Sequence, residues 1–480
     1  MRSALTASPR TSSARCTRKK PNADRRSASA VSGSSVRCSS PSARNSVYLS
    51  DDQKRVIVRA SNSWMRWRVL TTMRGVLGVA IGGSGALPQA RGEALAARFG
   101  SPLLVVDCDQ VRRQYHALKA ALPGVDLHYA LKPLPHAAVV ACLRDEGAFF
   151  DLATTGEVEL VKAQGIAPER CIHTHPIKRD SDIRDALRYG VNLFVADNPD
   201  ELRKFARYRK RAELLIRVSF RSPSAIVDLS RKFGCEPSAV LGLIELARSL
   251  GIRVRGLSFH VGSQAGEPSK FVEAIRACTN LVAEALLAGL PALDVLDIGG
   301  GFPVQYKDAV MPIEQFCAPI RAELAKLPRH VRVIAEPGRF IAAPAAIAIA
   351  SVMGRAKRDG RWWYYLDDGL YGSYSGQLFD HAKYPITALR QSEELFPSVL
   401  AGPTCDSIDV IDDDLLLPEL SVGDLVVGRM MGAYTWASAT DFNFFQRAKV
   451  VVMNEHPADA RRVVTLQRRT RPAVRGKTAA

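Results

Sequence analysis

RGLSFHVGSQAGEPSKFVEAIRACTNLVAEALLAGLPALDVLDIGGGFP, residues 255–303, contains one complete strand–helix–strand unit. A β-rich apolar run, Arg255–Val261, leads through a Gly- and Ser-bearing turn into an amphipathic helical segment. Gly289 and Pro291 stop the helix, and a second apolar run, Val295–Ile298, ends in a glycine triplet. Glycine and proline at such junctions mark where the chain leaves one element for the next.

The same unit repeats outward in both directions. Further runs at Leu127–Leu131, Phe149–Ala153, Cys171–His175, Leu193–Asp197, Leu214–Phe220 and Val331–Ala335 bring the number of expected strands to eight. The helices between them carry apolar residues at i, i+3, i+4 and i+7, as at Val240, Leu243, Ile244 and Ala247. Gly165, Gly190 and Gly251 punctuate the connections. Eight such units over about 210 residues predict an α/β fold, a (β/α)8 TIM barrel, rather than an open doubly wound sheet.

Beyond Arg339 the texture changes. Ala345–Gly354, Trp362–Leu366, Val399–Pro403, Leu425–Gly428 and Lys449–Met453 read as strands without regular helices between them, predicting a second, mostly β domain. Pro102–Asp107 is expected to pair into that domain and make it discontinuous. The expected organisation is a basic extension over 1–92, a barrel over 109–341, a β domain from 93–108 plus 342–460, and a basic tail over 461–480.

Composition narrows the function. About half of the 480 residues are apolar and 24% are charged, as in an ordinary globular protein. No apolar run reaches the ~18 residues that would suggest a membrane span. The nine cysteines are scattered and lack CxxC pairs, which argues for free thiols in a cytoplasmic setting and against a disulfide framework or a metal site. The net charge of +18 suggests nucleic acid until it is located: about +14 of it falls in residues 1–100. That Ser/Arg-rich stretch has little to bury and is expected to be disordered. It reads equally as a transit peptide or as sequence ahead of a later start such as Met65 or Met73. Neither a nucleic-acid nor a membrane partner is expected.

In a barrel of this kind the chemistry sits at the C-terminal ends of the strands. Those ends carry Lys132; Asp151, followed by Glu157; Arg217; His260, followed by Gly262 and Ser263; Gly299, Gly300 and Gly301; and Glu336, Pro337, Gly338 and Arg339. Charges inside apolar runs, as at Lys132 and Arg217, must be paired or carry chemistry. The glycine triplet permits close backbone approach, and its N–H groups could cradle a phosphate with Arg339 adding a bidentate contact. A tight turn explains the triplet about as well. A lysine, a phosphate cradle and a buried glutamate at three strand ends together suggest a phosphorylated aldehyde joined to the lysine amine, with an acid facing its ring nitrogen.

Six motifs stand in this order: Tyr129-Ala-Leu-Lys132, Ser258-Phe-His-Val-Gly-Ser263, Asp297-Ile-Gly-Gly-Gly-Phe-Pro303, Glu336-Pro-Gly-Arg339, Gly402-Pro-Thr-Cys-Asp406 and Gly432-Ala-Tyr434. Residues from about 100 to 450 resemble, through these motifs, the fold-type III pyridoxal-phosphate decarboxylases, which act on ornithine, lysine, arginine or diaminopimelate. The resemblance implies pyridoxal 5'-phosphate bound at Lys132. Glu336 would pair with the ring nitrogen, where racemases of the same fold place an arginine, and His260 would stack on the ring. Ser263, Gly299–Gly301, Arg339 and Tyr434 would hold the phosphate, while Asp151, Glu157 and Arg217 would orient the lysine and the ring.

The resemblance also implies a homodimer with shared sites. The 402–406 segment would reach the partner's site, with Cys405 protonating the product carbon and Asp406 binding the distal ammonium of a basic amino acid. Diaminopimelate decarboxylases carry a glutamate after the cysteine, so Asp406 favours a diamino acid. Asp380, in Leu378-Phe-Asp-His-Ala382, falls where ornithine decarboxylases place a substrate-facing aspartate. Pro133 and Phe444 depart from the pattern; the first stands where relatives often have a small or polar residue, the second where a glycine is common. The expected reaction is L-ornithine to putrescine and CO2. Alternatives are lysine, both substrates or a D-amino acid, and, in another class, a non-catalytic regulatory homologue.

Overall fold

The computed structural model describes residues 87–220 and 232–455. Strand β1 (Leu103–Asp107) precedes eight parallel strands: β2 (Val125–Ala130), β3 (Phe149–Leu152), β4 (Cys171–His173), β5 (Leu193–Ala196), β6 (Glu213–Val218), β7 (Arg253–Phe259), β8 (Val295–Asp297) and β9 (Arg332–Ala335). They pair in sequence order and close, β9 returning to β2 through Val125↔Val333 and Leu127↔Ala335. The expected barrel is therefore present, strand for strand.

A side-chain period of two sorts each strand into an inner and an outer face. Phe150, Leu152, Phe194, Ala196, Leu257 and Phe259 point outward into the main core beneath the helices. Ile172, Leu193, Val195, Leu215, Val295 and Ile334 form a separate apolar plug inside the barrel. The helices cover the outer face for the reason the sequence gives: Val240–Ser249 buries Val240, Leu243, Ile244 and Ala247, one apolar stripe.

Apolar runs overshoot the strands. The ladder of β2 stops at Ala130 and that of β7 at Phe259, although the runs continue to Leu131 and Val261. The segments above the ladder remain buried because they line the mouth of the barrel.

The remaining strands are β10 (Ala346–Arg358), β11 (Arg361–Leu366), β12 (Ile386–Ala388), β13 (Phe396–Ala401), β14 (Val410–Leu417), β15 (Leu425–Gly428) and β16 (Lys449–Met453). They form a sheet in the order β12-β15-β10-β11-β13-β14, with β1 paired antiparallel to β10 and parallel to β16. Strands β12 and β14 were not expected from the sequence. The first is three residues long, and the second carries Asp412, Asp413 and Asp414 mid-strand, which masks its alternation.

Helix Gln89–Phe99 overlaps the end of the extension expected over 1–92, so that boundary lies too far along the chain. Helix formation is favoured there by alanine and leucine at the interior positions. The rest of the extension and the basic tail lie outside the described residues. Among the described residues no helix is long and apolar enough to cross a membrane.

Candidate active site

The period that builds the barrel also aims its polar residues. Two positions beyond plug residues Leu215, Val295 and Ile334, on the same inner face, stand Arg217, Asp297 and Glu336. Asp151, His260 and Lys132 continue the inner faces of β3, β7 and β2. At these ends lies a cleft lined by Lys132, His260, Ser263, Gly300, Gly301, Glu336, Arg339 and Tyr434 among others.

The Lys132 amine opens into the cleft, its side chain 45% exposed, with Nζ 3.8 Å from Asp151 Oδ2. Burial works to lower its pKa, but Asp151 foremost, then Tyr434 and Glu336, hold it above the ordinary value. Asp151 in turn accepts a 2.5 Å hydrogen bond from the Thr174 hydroxyl. Burial and the nearby Glu336 push its pKa up to about 7, against the pull of Lys132 and Thr174. Thr174 was not singled out in the sequence; its place just beyond β4, beside the end of β3, was the available signal.

Glu157 has a local role. At the start of helix Thr155–Ala163 its carboxylate accepts the backbone N–H of Ala153 at 2.5 Å, while Thr154 caps the helix by accepting the Glu157 N–H. Its place beside Lys132 and Asp151 is felt only through their charges, and burial raises its pKa to about 7. Arg217 lies 5.6 Å over the Phe233 ring; burial lowers its pKa, while Glu336, Asp197 and Asp297 oppose that.

His260 is neutral at physiological pH because burial, reinforced by Arg217 and Lys132, drives its pKa well down. Its Nδ1 accepts the Gly262 N–H at 3.0 Å, so the proton of the neutral ring resides on Nε2.

Glu336 and Asp297 are buried side by side, each within electrostatic reach of the other, and Asp297 Oδ2 has no hydrogen-bond partner among the described residues. Burial leads the upward shift of both, Asp297 to about 6 and Glu336 well above its ordinary value. Asp297 belongs to a quoted motif but drew no role; an acid inside an apolar strand was the missed signal.

The glycine triplet has a steric reason of its own. A Cβ on Gly299 would lie 2.2 Å from Phe259 O, one on Gly300 2.6 Å from Glu336 O, and one on Gly301 2.3 Å from Gly262 O. Close strand ends therefore demand the glycines, whatever binds above them. Gly300 and Gly301 line this cleft, and their N–H groups have no hydrogen-bond partner among the described residues. Arg339 stands opposite, 7% exposed, its Nε donating to Ser263 Oγ at 3.1 Å and its guanidinium 4.7 Å over the Tyr434 ring. Tyr434 is tied back to the lysine loop by its N–H, which donates to Pro133 O at 3.1 Å. Unpartnered amides, a buried arginine, a cleft-facing amine and a buried carboxyl pair together fit a phosphorylated aldehyde with a basic ring nitrogen.

Two expected groups behave differently. Asp380 accepts from Arg339 Nη2 at 2.6 Å, so its carboxylate is engaged with the arginine rather than aimed freely into the cleft. Cys405 and Asp406 do not line the cleft at all. Cys405 is exposed and its thiol donates to Asn443 Oδ1 at 3.4 Å; Asp406 accepts from the Tyr371 hydroxyl at 2.5 Å, which lowers its pKa. A single chain does not bring them together with Lys132.

Residues 108–343 match the family model described as "Pyridoxal-dependent decarboxylase, pyridoxal binding domain". A lysine/ornithine decarboxylase of Selenomonas ruminantium is 35% identical over 77% of this chain and 94% of its own length. The crystal structure of lysine/ornithine decarboxylase from Vibrio vulnificus complexed with cadaverine is 61% identical, covers 76% of this chain and 97% of that one, and superposes with a TM-score of 0.73. Its putrescine complex is 59% identical over 77% and 98%, with a TM-score of 0.74. With a lysine, a carboxyl pair and a phosphate-ready corner meeting at the mouth of one barrel, these likenesses give the cleft its chemistry: the chain belongs to the fold-type III pyridoxal-phosphate-dependent amino-acid decarboxylases, alongside the ornithine/lysine branch.

Proposed function

We propose that this enzyme converts L-ornithine to putrescine and CO2, a step of polyamine biosynthesis. The observation that carries the reading is a decarboxylase cleft with two carboxylates within reach of a distal ammonium: Asp406 on an exposed loop and Asp380, which is paired with Arg339 of the cleft wall. A buried substrate cation requires such a partner.

Bound pyridoxal phosphate supplies an electron sink for the pair left on the α-carbon when CO2 departs. The chain's residues do the rest. Lys132 offers its amine for attachment and can carry a proton at Nζ, and Asp151, fixed by Thr174, orients it. Glu336 faces the ring nitrogen, and neutral His260 packs on the ring without adding a competing charge. Gly299–Gly301, Ser263, Arg339 and Tyr434 hold the phosphate. Glu157 and Arg217 sustain the polar wall of the cleft. The Cys405 thiol delivers a proton to the α-carbon, and Asp406 and Asp380 hold the distal ammonium.

This division of labour implies a homodimer, each 402–406 loop completing the partner's cleft. The exposure of the loop's surroundings supports it: Phe444 is 95% and Ile408 52% exposed. A cytoplasmic location agrees with seven free cysteines among the described residues.

L-lysine is a second reading, favoured by the likeness to a Vibrio vulnificus enzyme crystallised with cadaverine and with putrescine. The two substrates differ by one methylene, worth about 1–3 kcal/mol of discrimination. Amine release from L-ornithine, L-lysine, L-arginine and diaminopimelate, with and without Lys132→Ala, tests both. Putrescine dominant and lost in the variant supports the proposal, cadaverine dominant moves it to lysine, and no amine overturns it.

A further inference from the structure

The cofactor corner has a supporting layer in residues to which the decarboxylase reading assigns no role. Gln264 follows Ser263 and takes φ +55°, the left-handed region that a non-glycine residue adopts at a cost. Its side-chain amide grips the backbone of Val304 at both ends: Nε2 donates to Val304 O at 2.9 Å and Oε1 accepts the Val304 N–H at 2.8 Å. The amide thus behaves as a strand partner for one residue. A third tie, Ala265 N–H to Gly301 O at 2.9 Å, joins the same two segments. The turn that leaves the glycine triplet is therefore fastened to the segment after β7.

Two residues beyond Val304 stands Tyr306. Its hydroxyl accepts a 2.9 Å hydrogen bond from Arg339 Nη1. Its ring packs edge-on against Tyr384 at 5.7 Å, and Tyr384 against Tyr374 at 6.0 Å, which leaves Tyr306 little freedom to swing. Arg339 is consequently held at three corners: Nε by Ser263, Nη1 by Tyr306 and Nη2 by Asp380. Three of its five N–H donors are used in fixing the plane, and two remain for a ligand oxygen. Burial keeps the Tyr306 hydroxyl protonated, so its own hydrogen is available as well.

We infer that Gln264 and Tyr306 are positioning residues for the phosphate: Gln264 fixes the turn that carries Tyr306, and Tyr306 fixes the guanidinium plane of Arg339. The inference rests on the reading of Arg339 as a phosphate ligand. An arginine fork recognises a tetrahedral oxyanion through orientation as well as charge, so a rotated fork loses affinity without losing its charge.

The test is equilibrium binding of pyridoxal phosphate and of pyridoxal, which lacks the phosphate, to cofactor-free protein, followed by absorbance. Tyr306→Phe keeps the ring packing and removes the hydroxyl. It should raise the Kd for pyridoxal phosphate about tenfold while leaving that for pyridoxal unchanged. Gln264→Gly relieves the backbone conformation but removes the amide, and should give a loss of similar size. In an Arg339→Lys background, Tyr306→Phe should add less than twofold, because its effect passes through the arginine. Equal weakening of pyridoxal would make Tyr306 merely structural and overturn the inference, as would wild-type affinity in Gln264→Gly or full additivity with Arg339→Lys. If Arg339→Lys itself binds both compounds as the wild type does, the phosphate reading of the corner fails, a result separable from the others.

Discussion

The mouth of the barrel and the loop around Cys405 treat their polar groups in opposite ways. In the cleft, Lys132, Asp151, Thr174, Asp297, Glu336, Arg339, Ser263, Tyr306 and Asp380 answer one another within a few ångströms, and nearly every carboxyl is pushed upward by burial. Around Cys405, a thiol, a carboxylate and the aromatic side chains of Phe442, Phe444 and Phe445 stand partly or largely open to solvent. Asn443 and Phe444, both at positive φ, hold the latter region in a conformation that costs energy, and Phe444 gains no burial in return within one chain. The contrast teaches that the first region satisfies its polar groups within one chain, whereas the second leaves a thiol and aromatic rings open to solvent, as the proposed dimer requires.

The largest expected effect breaks this contrast directly. Lys132→Ala and Cys405→Ala, each nearly inactive alone, should recover activity when refolded together; random pairing gives about a quarter of wild type, from one intact site in each mixed dimer. No recovery, with mixed dimers present, would place both residues in one chain's site. Within the cleft, Glu336→Gln should lower kcat about 100-fold or more while leaving a lysine-bound cofactor visible by absorbance. An unchanged kcat would remove Glu336 from opposite the ring nitrogen.

Asp406→Ala should raise KM for the diamino acid about 10- to 100-fold, as expected for a carboxylate lost from a buried charge pair, with cofactor affinity intact. Asp380→Ala should raise KM and also weaken cofactor binding, because it releases Arg339. A shift in cofactor affinity without a shift in KM would reduce Asp380 to support for the arginine.

In the folded, cofactor-free protein Asp297 has its pKa raised to about 6 from an ordinary 3.8. A raised carboxyl pKa means the folded state holds the proton more tightly than the unfolded chain. Its stabilising contribution is full below about pH 4 and is lost as pH rises through 6. Asp297→Asn should abolish that loss and leave the apoprotein about 1–3 kcal/mol more stable than wild type at pH 8, read from urea unfolding. Parallel pH profiles would show that folding does not raise the Asp297 pKa.

Much of the barrel was legible because its signal is local. A strand announces itself by apolar character and a helix by its stripe, and the two recur with glycine between them; the eight runs therefore found their strands to within a few residues. Strand β14 was hidden by Asp412–Asp414, since an edge strand can carry acids on residues that face water. The site was legible where a charged residue ended an apolar run, as at Lys132 and Glu336. Thr174, Gln264 and Tyr306 were not, because a threonine, a glutamine or a tyrosine near a turn is unremarkable until its partner is known.

By itself the sequence determined the alternation of elements, the place of Lys132, Asp151, Arg217, His260 and Glu336 at strand ends, and the motifs that mark the family. The first two follow from short-range periodicity, which needs no knowledge of what lies across the barrel, and the third from resemblance. Only the tertiary structure decided that Glu336 and Asp297 are buried together, that Asp380 clasps Arg339, that close strand ends require the glycine triplet, and that Cys405 stays outside the cleft that Lys132 lines. Those facts depend on distances between residues far apart in the chain, which are set when the barrel closes and the sheet packs against it.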